Sequence, residues 1–279
     1  MDLCYRSSVN SWECDENDHM NVRFYVAKHM ETLQSWLLGI GAVQELQPIS
    51  VSTQHLRFLS ESRLSAPLSG FAALTEEGAV VTELRQSVTG EVLSTCLHGL
   101  DGVDISATAI ATPEHALPRG ASSKALHLIE GCSESYLDCG FQLIGQGVVG
   151  HREVDSQAAL SLENYMGRIS DSMPHLWASF GAFGEDDSDG LEGGAVLEYR
   201  FHYHTPIRAG ERFAVYSGLY QAGAKVQTFA HLVFNQSGGC LATSAMAVGV
   251  RMDLTTRRAK AMSDEVLQHL QSLQLTIES

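Results

Sequence analysis

A short segment near the amino terminus concentrates side chains that can catalyse proton transfer. Residues 12–21 read WECDENDHMN and contain Asp15, Asn17, His19 and Asn21 at alternate positions. A carboxylate can deprotonate water or attack a carbonyl carbon, and an imidazole can orient the reactants. The unpaired first amides of a following helix would stabilise an oxyanion. The pattern therefore favours a hydrolytic site, although Asn21 is also a residue type that simply caps helices.

The helix that must position this segment is predicted over residues 22–40. Its apolar residues recur at steps of three and four and so form one face, and Gly39 and Gly41 mark its end. The members of that face are Val26, Met30, Leu33, Leu37 and Ile40. Strands are predicted near residues 4–12, 50–60, 68–76, 79–88 and 91–104.

The second half of the chain repeats the first. When the chain is aligned with itself at an offset of 140 residues, Glu13, Asp15 and Tyr25 align with residues of the same type. The offset grows to 143 residues near Arg57 and to 148 near Gly90. A rising offset is expected when insertions lie in loops. The repeated elements are a strand near 143–153, a helix near 162–181, strands near 195–205, 213–221, 225–235 and 239–252, and a last helix near 263–274 capped by Ser263. Pro174 should kink or break the second helix.

One strand, one long helix and four antiparallel strands per half predict an α+β protein of two tandem units. Each would be an antiparallel sheet wrapped around one long helix, which is the order of a hotdog domain. We expect the N-terminal unit over residues 1–110, a linker over 111–140, and the C-terminal unit with its terminal helix over 141–279. The alternative is a pair of unrelated α+β domains.

The spacing Asp15-x-Asn17-x-His19-x-Asn21 resembles the D-x-N-x-H-x-N motif of the plant and bacterial acyl-acyl-carrier-protein thioesterases. Asp15 also stands where the 4-hydroxybenzoyl-CoA thioesterase family keeps its catalytic aspartate. Glu61 stands where the acyl-carrier-protein thioesterases place a second functional acid. The resemblance implies a tandem hotdog thioesterase whose catalytic residues are Asp15, Asn17, His19 and Glu61.

The resemblance also implies a role for each residue. Asp15 would act as general base or nucleophile and would be held in place by Asn17. His19 would orient water or polarise the thioester, and Glu61 would assist the water.

Substrate binding is assigned to Asn21 and Tyr25, and the oxyanion to backbone amides near residues 20–23. The second half keeps only the aspartate, as Asp155, which we interpret as structural. The other motif positions are replaced there: Asn17 by Gln157, His19 by Ala159, Asn21 by Ser161 and Glu61 by His204.

The expected reaction is hydrolysis of an acyl thioester to free acid and thiol. Acyl-CoA is favoured over an acyl-carrier-protein substrate, because the net charge of −15 repels an acidic carrier, whereas a few Arg side chains can hold coenzyme A. The alternatives are an acyl-thioester hydratase or dehydratase, and a non-catalytic acyl-thioester-binding protein. No cofactor is expected. His202 and His204 share a strand face, but a third metal ligand is not evident, so we interpret them as solvated or hydrogen-bonded.

The composition narrows the class of partner. The acidic net charge disfavours nucleic acid and anionic membranes, and no apolar run approaches the roughly 18 residues of a membrane span. The first residues lack the pattern of a secretory signal, so the cytoplasm is the expected location. The six cysteines form no C-x-x-C pair and are expected as free thiols. Whether two chains form a homodimer is left open.

Overall fold

The structure is a computed structural model that describes residues 1–15, 18–44, 49–181, 192–253, 255–256 and 258–277. Its contacts divide the chain into two compact units. The first comprises Met1–Pro118 with Asp155–Gly167, and the second comprises Arg119–Val154 with Arg168–Ser279. The boundaries at residues 110 and 141 that we drew from the sequence remain a prediction.

The first repeat forms the elements in the predicted order. Strands β1–β5 form one antiparallel sheet in the order β1-β3-β4-β5-β2. Helix α1 packs against β1, β3, β4 and β5. The elements span β1 Asp2–Ser8, α1 Val22–Gly39, β2 Val51–Phe58, β3 Pro67–Leu74, β4 Val80–Gln86 and β5 Val92–Leu100.

Helix α1 buries three of the five residues of the predicted apolar face, whereas Met30 and the C-cap residue Ile40 are half-buried. Val26, Leu33 and Leu37 have no exposed surface, and Trp36 is also buried. Burial of such side chains contributes about 1.5–3 kcal/mol each to folding. The helix therefore has a fixed position on the sheet, which in turn fixes the loop that enters its first turn.

Polar side chains interrupt this core between α1 and the sheet. His29 bonds Thr82 Oγ1 through Nδ1 (2.7 Å) and Ser94 Oγ through Nε2 (2.8 Å), and His98 Nε2 lies 2.9 Å from the same Thr82 oxygen. Burial lowers the pKa of His98 to about 3, and burial together with the nearby His98 lowers the pKa of His29 well below its ordinary value. Both imidazoles are therefore neutral at physiological pH.

The second repeat has the same topology, with its sheet in the order β7-β10-β9-β8-β6 and β11 paired to β10. Both repeats are thus hotdog units, and the fold class is α+β as predicted. The elements span α2 Ser123–Gly131, β6 Gln142–Val148, α3 Leu162–Ser179, β7 Glu192–Tyr203, β8 Arg212–Ala222, β9 Val226–Asn235, β10 Cys240–Asp253, β11 Arg258–Ala259 and α4 Asp264–Ser272. The Ser263 side chain caps α4 at Val266, as predicted.

Helix α3 does not end at Pro174, so the expected break is wrong. Met166, Ile169 and Leu176 are fully buried on either side of the proline. Their burial outweighs the cost of about 3 kcal/mol that an internal proline imposes on a helix.

Strand β9 is buried on both faces. Ala230 and Leu232 are buried on one face, and Phe229, His231 and Val233 are buried on the other. A hydrophobic cluster that includes residues of α2 and Leu275 covers the face of Ala230 and Leu232. The segment that joins the two repeats therefore forms part of the core of the second unit.

Backbone hydrogen bonds correct the sequence alignment of the repeats. After β2, the amides of Leu59 and the next residue share one acceptor on β5; His204 and its successor do the same after β7, with an acceptor on β10. Leu59 therefore corresponds to His204, and Glu61 corresponds to Pro206 rather than to His204.

Among the described residues, no helix is both long and apolar enough to cross a lipid bilayer.

Candidate active site

The loop before α1 is a tight turn closed by its own backbone. The amide of Asp15 donates to the carbonyl of His19 (2.8 Å), and Cys14 and Met20 form an antiparallel bridge. Asp18 has φ +58°, a left-handed conformation that Asp tolerates better than most residues. The His19 amide donates to Asp15 Oδ1 (3.1 Å). The carboxyl group of Asp15 is thereby oriented by the turn that carries the imidazole.

The second repeat builds the same turn with different side chains. The Asp155 amide donates to the Ala159 carbonyl (2.8 Å), and the Ala159 amide donates to Asp155 Oδ1 (3.0 Å). Ala158 takes the left-handed position with φ +59°. The loop geometry therefore follows from the aspartate and the turn, and only the first copy adds an imidazole to it.

An ion pair anchors each turn to its helix; the pair in the first repeat is buried, and the pair in the second repeat is half-buried. Lys28 Nζ lies 2.9 Å from Glu13 Oε1, and the other carboxylate oxygen of Glu13 accepts the Asn10 amide (2.8 Å). The second repeat has the equivalent pair between Arg168 and Glu153. Removing one member of a buried pair costs about 3–5 kcal/mol, because it leaves an uncompensated charge. Sequence reasoning missed the role of Glu13, although its recurrence as Glu153 was a usable signal.

The first turn of α1 offers one amide to a ligand. The amide of Met20 donates to Ser62 O, that of Asn21 donates to Glu13 O, and that of Arg23 donates to the Asn21 side chain (3.1 Å). Asn21 is therefore the N-cap of the helix. Within the described part of the chain, the remaining amide of this stretch, that of Val22, has no acceptor. It points from the positive end of the helix dipole.

Glu61 follows β2 and lies beside the loop that precedes α1. The Met20–Ser62 hydrogen bond (2.8 Å) and a backbone bridge between His19 and Arg63 hold the two segments together. His19 Nε2 is 3.3 Å from Glu61 Oε2. The His19 side chain is 9 % exposed and that of Glu61 is 42 % exposed, so the carboxylate is the member of the pair that faces water.

Tyr25 fixes the backbone on both sides of Glu61. Its hydroxyl oxygen accepts the Ser62 amide (3.1 Å) and lies 3.4 Å from Ser60 O. Burial raises the pKa of the Tyr25 phenol, and the nearby carboxylates of Glu61 and Asp15 raise it further. Both carboxylates therefore lie close enough to affect the same hydroxyl.

The structure thus brings five of the six predicted site residues into one region: Asp15, His19, Asn21, Tyr25 and Glu61. Asn17 lies outside the described residues. The pKa of the Cys14 thiol is raised by burial and by the carboxylates of Asp18, Asp15 and Glu13. A raised pKa disfavours a cysteine nucleophile here, because the thiolate is the reactive form.

Arg23 is a further residue that the sequence did not single out. Its guanidinium donates to Asn164 Oδ1 (2.9 Å), and Asn164 bonds Ser161 at the start of α3. Arg23 Nε is buried without a partner among the described residues. The first compact unit therefore places a guanidinium beside the first turns of both long helices.

Comparisons with known proteins agree with this fold. Residues 149–270 match the model of the thioesterase-like superfamily. No significant match to this chain was found among curated proteins.

Solved structures match nearly the whole chain. A proposed oleoyl thioesterase from Lactobacillus plantarum superposes with a TM-score of 0.61 at 10 % identity, covering 89 % of this chain and 95 % of its own. The 12:0-ACP thioesterase from Umbellularia californica has a TM-score of 0.61 at 10 % identity, covering 88 % and 93 %. An acyl-ACP thioesterase from Bacteroides thetaiotaomicron has a TM-score of 0.60 at 9 % sequence identity, covering 88 % of this chain and 96 % of its own.

At these identities the solved structures establish the fold, which is a tandem hotdog. The match to the thioesterase-like superfamily model covers less than half of the chain and lies in the second repeat.

Proposed function

We propose that this protein hydrolyses acyl thioesters at the site formed by Asp15, His19 and Glu61. The observation that carries the proposal is the contact between His19 and Glu61 (3.3 Å) in loops adjoining the first turn of α1. A general base, an orienting imidazole and a helix amide are the groups that acyl transfer to water requires.

The reaction proceeds by attack of water on the thioester carbonyl carbon. Asp15 accepts a proton as the water oxygen bonds to carbon and returns that proton to the sulfur as it departs. In the alternative route, Asp15 attacks the carbon itself, the C–S bond breaks as the anhydride forms, and water then opens the anhydride and supplies the proton of the thiol. Glu61 and His19 orient the water. The tetrahedral oxyanion accepts a hydrogen bond from the Val22 amide, and the C–S bond breaks to release the thiol and the free acid.

Three predicted residues act by positioning the others. Asn21 caps the helix and so directs its first turn, and Tyr25 holds the Glu61 segment through Ser60 and Ser62. Because their polar atoms bond the chain itself, we now assign both to positioning instead of substrate contact. The proposed role of Asn17, which is to hold Asp15 in place, is supported only by the resemblance of the loop to the D-x-N-x-H-x-N motif.

Acyl-CoA is the proposed form of the substrate. The net charge of −15 repels an acidic carrier protein, whereas Arg63 is exposed and its backbone pairs with His19. A guanidinium there can bind a coenzyme A phosphate. We expect kcat/KM to be higher for CoA thioesters than for the matching carrier-protein thioesters, and Arg63→Ala to raise KM for the CoA thioester alone. A preference for the carrier protein would overturn this assignment.

The decisive test compares the two aspartates, because their loops have the same backbone hydrogen bonds. Asp15→Asn should lower kcat on the best acyl-CoA by about 10²–10⁴-fold, and Asp155→Asn should leave it nearly unchanged. Melting temperatures control for folding, and thiol release is measured across acyl chain lengths. Loss of turnover in Asp155→Asn, or wild-type kcat in both variants, would show that Asp15 is not the catalytic carboxylate.

The same assays separate the alternative functions. Thiol release without conversion between enoyl and hydroxyacyl thioesters supports hydrolysis. Conversion without thiol release indicates a hydratase or dehydratase, and binding without either reaction indicates a non-catalytic binder.

A further inference from the structure

The second compact unit contains a cluster of metal-ligating side chains that the proposed reaction does not use. His127 and Glu130 lie one turn apart on α2 and therefore share a helix face. His202 and His204 alternate on β7 and therefore share a strand face. The fold brings these two faces together.

The four side chains converge on the carboxylate of Glu130. Its Oε2 lies 2.9 Å from His127 Nδ1, and its Oε1 lies 2.7 Å from His202 Nδ1 and 3.6 Å from His204 Nε2. The ligand atoms of His127, Glu130 and His202 all lie within 4.8 Å of one another. Ser244 Oγ donates to Glu130 Oε1 (2.7 Å) and so orients the carboxylate.

We propose that this cluster binds a divalent transition metal, with Zn²⁺ preferred, through His127, Glu130 and His202, and with His204 as the fourth ligand. Tetrahedral Zn²⁺ takes imidazole nitrogens and carboxylate oxygens at about 2.0–2.2 Å, which separates neighbouring ligand atoms by roughly 3.4 Å. The distances from the Glu130 oxygens to the three histidine nitrogens, 2.7, 2.9 and 3.6 Å, bracket that value. Three imidazoles favour a transition metal over Mg²⁺ or Ca²⁺, which prefer oxygen.

The backbone that carries the ligands is held rigidly. Leu126 and Ile129 of α2 are fully buried against the sheet, so His127 and Glu130 project from a fixed helix. His202 and Ser244 are paired residues of β7 and β10. The exposed fraction of the His127 side chain is 66 %, which leaves the site open to an ion from solvent. A bound ion would join α2 to β7 and stabilise the second unit.

Untagged full-length protein, stripped with a chelator, should be titrated with Zn²⁺ by calorimetry at pH 7.5. We expect one equivalent per chain and a rise in melting temperature. His127→Ala and the double variant His127→Ala/His202→Ala should lower the affinity by at least about 100-fold. Replacing the exposed His151 of the same unit by Ala is the matched control and should change nothing.

A loss of Zn²⁺ affinity in His127→Ala cannot be attributed to unfolding, because His127 is exposed and its replacement leaves the core intact. Co²⁺ bound to the wild type should give the intense visible absorption of tetrahedral nitrogen–oxygen coordination. No saturable Zn²⁺ binding, or binding that His127→Ala/His202→Ala leaves unchanged, would overturn the proposal. Asp15→Asn should bind Zn²⁺ as the wild type does, so the outcome is independent of the proposed hydrolysis.

Discussion

His19 Nε2 and Glu61 Oε2 lie 3.3 Å apart, although one residue precedes α1 and the other follows β2. If the two side chains act together on one water molecule, their contributions to turnover are coupled. We expect His19→Ala and Glu61→Gln each to lower kcat/KM by about 10–10³-fold. The double variant should be little worse than His19→Ala alone.

The control for this double-mutant cycle replaces Glu91, an exposed acid in the turn before β5, by Gln. It should leave kcat/KM unchanged in either background. Fully multiplicative losses for His19→Ala and Glu61→Gln would show that the two groups act independently.

Tyr25→Phe should impair turnover through Glu61. The variant leaves the buried Ser62 amide without its acceptor, which should cost about 1–3 kcal/mol of unfolding free energy and loosen the Glu61 segment. We expect a lower kcat/KM in the wild-type background and no further loss in Glu61→Gln. Tyr165→Phe, at the matching position of α3, is the control and should reduce stability without affecting turnover. Equal effects of Tyr25→Phe with and without Glu61 would contradict the positioning role.

Stability should fall in mild acid because three histidines are buried in neutral form. Burial lowers the pKa of His98 and His231 to about 3, and burial and the nearby His98 lower that of His29. Unfolded histidine titrates near pH 6.5, so the unfolded state binds more protons below that pH. The stabilisation is complete above pH 6.5 and is lost as pH falls towards 3, by about 1.4 kcal/mol per pH unit for each proton.

Denaturant unfolding between pH 7.5 and 4.5 measures this slope. His98→Gln cannot titrate and should lower the slope by about one proton. An unchanged slope in His98→Gln would mean that His98 is not a source of the acid sensitivity.

Ala158 occupies a left-handed backbone conformation with φ +59°, which disfavours residues that carry a Cβ. Ala158→Gly should therefore raise the unfolding free energy by about 0.5–1 kcal/mol, despite the greater flexibility of unfolded glycine. Ala159→Gly, in the same turn without a positive φ, should lower it by a similar amount. Destabilisation by both variants would contradict a strained Ala158.

The sequence alone determined the local elements and the repeat. The helix that follows the loop begins after Asn21 because that residue caps it, and its apolar face gives its period. The loop motif likewise located Asp15 and His19, which are close in the chain and share one turn. These features depend on neighbouring residues, so a single sequence contains them.

Tertiary structure decided what depends on contacts between distant residues. Sequence identities aligned Glu61 with His204, yet the strand hydrogen bonds align it with Pro206. A shift of two residues keeps every side chain on the same face of a strand. The alternation of hydrophobic residues therefore fits both alignments equally well and cannot choose between them. Similarly, the sequence showed His202 and His204 without a third ligand, and only the packing of α2 on the sheet brought Glu130 to them. Such convergence results from burial of Leu126 and Ile129, which no local pattern relates to β7.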